Sequence, residues 1–135
     1  MNCEKIKKAL VSFLVGALLL AGSIVTYANC LYVNSPVLVD GDSWTYVGSA
    51  TKSTTGSYST VNITSILDPT GDDQGYKKIK VTPTSVGDTY TCYLNTPKNI
   101  ALPLGYRTVG SNILYFCMGN IPSLDCTITG SFNSN

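Results

Sequence analysis

The stretch NILYFCMGNIPSLDCTITGSF, residues 112–132, decides the fold class. Two runs alternate apolar and polar residues around a Gly/Asn/Pro/Ser turn, the period-two signature of half-buried strands. Cys117 and Cys126 stand symmetrically about that turn. The arrangement predicts a closing β-hairpin with the two cysteines opposite one another and stapled.

Working outward, the same alternation recurs over residues 30–39, 43–50, 58–67, 76–83, 89–95 and 106–109, with turn residues between the runs. Thr, Ser, Val, Ile and Tyr dominate these segments, which suits strands and not helices. Pro36 cannot donate to a ladder and marks an edge or a bulge. Asp40-Gly41 between apolar runs predicts a two-residue hairpin turn. Residues 96–105, with Pro97 and Pro103, read as a long connection. Lys78 and Lys80 point outward on their strand and would guard a sheet edge. The expected fold is all-β: a small antiparallel β-sandwich of about seven or eight short, hairpin-connected strands, with a small β-barrel or an immunoglobulin-like sandwich as alternatives.

The start of the chain has a different character. Lys5, Lys7 and Lys8 precede an apolar run over residues 9–25, followed by Thr26-Tyr27-Ala28. This order of basic, apolar and small residues is that of a secretory signal peptide, with cleavage expected after Ala28. The apolar run falls short of the ~20 residues that span a bilayer. Leu20-Ala21-Gly22-Ser23 has the shape of a lipoprotein processing box, but Ser23 has no thiol to accept the lipid. A single exported β-domain over residues 29–135 is therefore expected, secreted and without a membrane anchor. It carries six basic against seven acidic side chains, a net charge of −1, and no basic patch that would favour nucleic acid.

Four cysteines remain in that domain: Cys30, Cys92, Cys117 and Cys126. An even number in a small exported chain predicts two disulfides. The hairpin favours Cys117 with Cys126, leaving Cys30 with Cys92. Zinc is disfavoured, because no C-x₂₋₄-C pair and no His are present.

Cys30, Trp44 and Cys92, with Tyr90 two residues before the last, resemble the framework of immunoglobulin domains over about 65 residues. The resemblance implies a Trp packed in the core against an inter-sheet disulfide. It departs from the pattern at Cys30, the second residue of the expected mature chain, which leaves no room for a preceding strand.

The residue inventory narrows the chemistry. The chain has no His, and its only Glu is Glu4 in the signal segment. Ser/His and Cys/His nucleophile pairs, Glu-based acid/base pairs and His metal sites are thereby removed, so no enzyme activity, catalytic residue or cofactor is expected. Asp68, Thr70 and Asp72 have the 1, 3, 5 spacing of calcium ligands, but Asp73 stands where an EF-hand needs Gly and Ile79 where it needs Glu. The aromatic set is what binding would draw on. Trp44 and Tyr46 share a face, and Tyr93 faces away from Cys92 and Leu94, which makes these three the candidate binding residues. The expected function is an exported, non-enzymatic binding protein: a released effector, inhibitor or bacteriocin-like protein acting on another cell's surface or proteins. The alternative is a carbohydrate- or cell-wall-binding module that uses its surface aromatics.

Overall fold

The computed structural model describes residues 30–85 and 87–134; the expected signal segment and its cleavage position lie outside the described residues. Eight strands form: β1 (Cys30–Val39), β2 (Thr45–Thr51), β3 (Tyr58–Leu67), β4 (Lys78–Pro83), β5 (Tyr90–Tyr93), β6 (Lys98–Ala101), β7 (Asn112–Met118) and β8 (Cys126–Asn133). They make two four-stranded sheets, β1-β8-β3-β6 and β2-β7-β4-β5, hereafter sheets A and B. Every strand pair is antiparallel, and neither sheet closes into a barrel. The chain is the all-β sandwich that its periodicity predicts.

Its connections differ from the expected hairpins. β1 pairs with β8, β2 with β7, β3 with β6 and β4 with β5, a set of nested pairs rolled over on itself. This is the double Greek-key arrangement of a jelly roll. Only β4 and β5 are consecutive neighbours in one sheet; every other connection crosses between sheets. The hairpin over residues 112–132 is accordingly corrected: β7 lies between β2 and β4, and β8 lies between β1 and β3. Asp40-Gly41 likewise carries the chain from sheet A to sheet B.

Three smaller expectations change with the topology. β4, with Lys78 and Lys80, is an inner strand, so those lysines face solvent without guarding an edge. Residues 106–109 form no strand. The chain between the two prolines instead adds β6 to the edge of sheet A, and a 3-10 turn follows at Leu104–Tyr106. Pro36 behaves as read: β1 is an edge strand, and its register shifts between Val33 and Val37.

Alternation fills the interior. On β7, Ile113, Tyr115 and Cys117 point inward, and on β8 Cys126, Ile128 and Phe132 do so, while the residues between them face out. Tyr115 and Phe132 meet across the two sheets with ring centroids 4.9 Å apart. At that end of the core several polar groups bond to one another. The Tyr115 hydroxyl is hydrogen-bonded to Ser59 Oγ, which also donates to the Asn133 carbonyl at 2.8 Å. Lys52, 1% exposed, donates its ammonium to the Ser134 carbonyl. Burial pulls the Lys52 pKa down.

The opposite end is closed by backbone contact. A Cβ on Gly41 would stand 2.6 Å from the Leu124 carbonyl and 2.7 Å from that of Ile121. Gly119 would meet Gly41 Cα at 2.7 Å. These two glycines let the β1–β2 and β7–β8 connections touch, and Gly119 N donates to the Asp40 carbonyl at 3.0 Å. Because the obstructing atoms are backbone, Gly41→Ala is expected to cost about 1–3 kcal/mol, whereas Gly105→Ala, which would place its Cβ with nothing within 4 Å, stays within about 0.5 kcal/mol of wild type. Urea denaturation of both variants checks this, and equal midpoints would show that the two connections are not packed as described.

Candidate functional site

The site grows from the outward half of β7. Leu114, Phe116 and Met118 alternate with the buried Ile113, Tyr115 and Cys117 and so emerge on the outer face of sheet B. Register sets Phe116 between Tyr46 of β2 and Thr82 of β4. The Tyr46 and Phe116 rings are tilted by 57° with centroids 5.5 Å apart, an arrangement that aromatic pairs favour. Trp44 enters just before β2 on the same side.

A cleft of about 260 Å³ opens beside them, lined by Trp44, Phe116, Thr82, Ser85, Gly87 and Thr89. None of these side chains is charged. The Thr82 hydroxyl donates to the Gly87 carbonyl at 3.2 Å and so ties the β4–β5 turn to the end of β4. Ser85 and Thr89 are exposed at the rim. The cleft thus combines two apolar ring faces with hydroxyl groups that can donate or accept.

Of the three aromatics singled out from sequence, the structure brings Trp44 and Tyr46 together, 38% and 52% exposed. Tyr93 is also exposed on the outer face of sheet B, but on β5, the opposite edge strand. Three strand spacings of about 4.8 Å separate it from Tyr46, so it belongs to a different part of the face. Phe116, Thr82, Ser85 and Thr89 were not singled out. Phe116 was legible in principle, since it alternates with Tyr115 and Cys117; the threonines and serine reach the cleft only through the pairing of β4 with β7.

The Asp68 loop is organised around its first carboxylate. Asp68 Oδ1 accepts from Thr70 N at 2.9 Å, Thr70 Oγ1 at 2.7 Å and Asp72 N at 2.8 Å, and Oδ2 accepts from Gln74 Nε2 at 3.0 Å. Asp68 is spent on the loop's own donors, and Thr70 points its hydroxyl at Asp68 as a donor. Among the described residues no group of three or more His, Cys, Asp or Glu could hold a metal ion. The Thr70 hydroxyl and then the Asp72 amide hold the Asp68 pKa down at about 2 from 3.8. The native state therefore binds its proton less readily than the unfolded chain, so the stabilisation is present above pH 3.8 and is lost as pH falls toward 2. Protection of the Thr70 and Asp72 amides, taken relative to the intrinsic exchange rate at each pH, is expected to fall over that window, and Asp68→Ala should produce the same loss of protection at neutral pH. Protection that does not change with pH would refute the role of Asp68.

The four cysteines are unlinked thiols in the structure. The topology removes the hairpin on which the staple was expected: Cys117 and Cys126 sit on strands of different sheets, as neighbours across the core. Cys30 pairs with Asn133 at one end of the β1–β8 ladder and Cys126 with Val39 at the other. Cys92 faces the core from sheet B, beside Ile79. The immunoglobulin-like framework is corrected with them, since Trp44 lies on the outer face and not against a buried cystine. Burial pushes the Cys92 thiol up to about 11. Cys117 also rises, through burial and then its neighbours Cys92 and Cys126. Thiolate is the reactive form. Alkylation of the folded protein should therefore modify half-buried Cys30 and spare Cys92 and Cys117 until the chain unfolds. Peptide mapping reads this out, and a Cys117–Cys126 cross-link in the map would restore the staple.

No family model, curated protein or solved structure matches this chain, so the reading of the site rests on its own geometry.

Proposed function

We propose that this is an exported, non-enzymatic binding protein that recognises a neutral cell-surface glycan through the cleft beside Trp44. The observation that carries the reading is the composition of that cleft: an indole and a phenyl ring beside three hydroxyl side chains, with no charge among them. A pyranose presents C–H faces that pack on aromatic rings and hydroxyls that exchange hydrogen bonds with Ser and Thr. An uncharged lining neither repels such a ligand nor demands a counter-ion from it. The proposal assigns no catalytic residue, because the absence of His and the single Glu at position 4 leave acid/base chemistry to aspartates. Secretion through the signal segment would bring the cleft to its ligand.

A second reading, a released effector, inhibitor or bacteriocin-like protein that grips a protein on another cell, draws on Tyr46 and Tyr93. Both are about half exposed on the same sheet face, at 52% and 51%, and Tyr is enriched where proteins recognise proteins. The two readings separate on the ligand.

Binding to a panel of neutral and acidic polysaccharides, followed by titration, tests the first. Trp44→Ala is expected to weaken the neutral glycan about tenfold, the scale of one well-made aromatic contact, with the thermal midpoint unchanged. Tyr93→Ala should leave glycan binding intact. Binding to no glycan, or binding indifferent to Trp44, would reject the glycan reading in favour of the second.

A further inference from the structure

A second cavity, of about 290 Å³, opens at the end of the sandwich where the β3–β4 and β7–β8 connections meet. Its floor is Ile66 of β3 and Cys126 of β8, which are 3% and 5% exposed. Its walls include Tyr76 from one connection and Ile121 and Leu124 from the other. Lys77 and Lys78 stand at its mouth, both exposed, and no carboxylate lines it. From these features we infer a second binding site, which takes a small amphipathic anion: an apolar tail between the sheets and a carboxylate or phosphate head at the two lysines.

The cavity is built. On one side, Asp68 gathers the loop that carries Gln74 to Lys78 through the hydrogen bonds described above. On the other, Asp42 accepts from Ser123 N at 2.7 Å, and Leu124 N donates to the Ile121 carbonyl at 3.3 Å. Gly41 and Gly119 lock that connection against the neighbouring one. Ile121 and Leu124 are held 43% and 47% exposed within a segment tied down on both sides, and apolar surface kept in water by a braced loop is stabilised when a tail covers it. Asp125, the nearest acid in sequence to Cys126 of the floor, turns its Oδ1 to accept from Gly41 N at 3.2 Å. Its charge is felt at the Cys126 thiol, but its side chain does not line the cavity beside the lysines. The volume lies near the low end for ligand pockets of roughly 300–1,000 Å³, which limits the tail to a medium acyl chain or a single ring.

Calorimetric titration of the purified protein with decanoate and with decanol, at low salt and below their aggregation thresholds, tests the inference. Decanoate should bind saturably and about threefold tighter than decanol, the gain from exposed charge pairs. Lys77→Gln with Lys78→Gln should remove that difference. Leu124→Asp, a surface change checked by an unaltered thermal midpoint, should abolish decanoate binding, and alkylation of Cys126 should slow when the site is full. Trp44→Ala should change none of this, which keeps the outcome separate from the glycan reading. Equal affinity for decanoate and decanol would overturn the anionic head. No saturable binding, or binding and alkylation indifferent to Leu124→Asp and to decanoate, would overturn the site.

Discussion

A strand has two edges, and in this protein both edges of β7 and both edges of β8 are taken. β7 is bonded to β2 and β4, and β8 to β1 and β3. No ladder position is left for the two to pair with each other, so the seven residues between Met118 and Cys126 must carry the chain from one sheet to the other. The rest follows from that crossing. The two central strands face each other across the core, and Tyr115 and Phe132 meet between them. Phe116 on the outward side of β7 lines one cleft, and the crossing segment becomes a wall of the other cavity. The braced connection through Gly41 and Gly119 is the local solution to bringing two such crossings together at one end.

What the sequence made legible was the strand content and the facing of most side chains. The alternation of Ile113, Tyr115 and Cys117 with Leu114, Phe116 and Met118 is printed in the residues, and it sorted inward from outward correctly. Trp44 and Tyr46 were placed on a shared face for the same reason. Period-two patterning names the face of a side chain and is silent about which strand lies beside it. That silence is why the nested pairing, the inner position of β4 and the placing of Cys117 and Cys126 on different sheets emerged only in three dimensions. β6 was hidden between prolines because only Lys98–Ala101 pairs there, a segment too short to show a period. Lys52 was hidden because a lysine in a polar turn gives no sign of being folded under the end of the sheet.

The two cavities differ in chemistry because they draw on different parts of the architecture. The cleft beside Trp44 sits on the outer face of a sheet, where alternation can set rings and hydroxyls side by side without disturbing the core. The end cavity lies where two connections carry the apolar and basic groups. Loops tied at both ends can hold such groups in fixed positions on a rigid scaffold. The Asp68 carboxylate serves this scaffold: its lone pairs go to the loop's own donors, and so it shapes one wall of the end cavity.

The nested pairing also governs when the protein can form. β1 lies beside β8, the strands furthest apart in sequence among those described, and β8 is also the partner of β3. Sheet A therefore cannot be completed from any leading fragment of the chain: until the last strand arrives, β1 has no neighbour and β3 has only the four-residue β6. Contacts of this span make folding slow relative to local hairpins and tie it to the availability of the whole sequence. Loss of β8 alone would therefore strip two strands, β1 and β3, of a ladder partner at once.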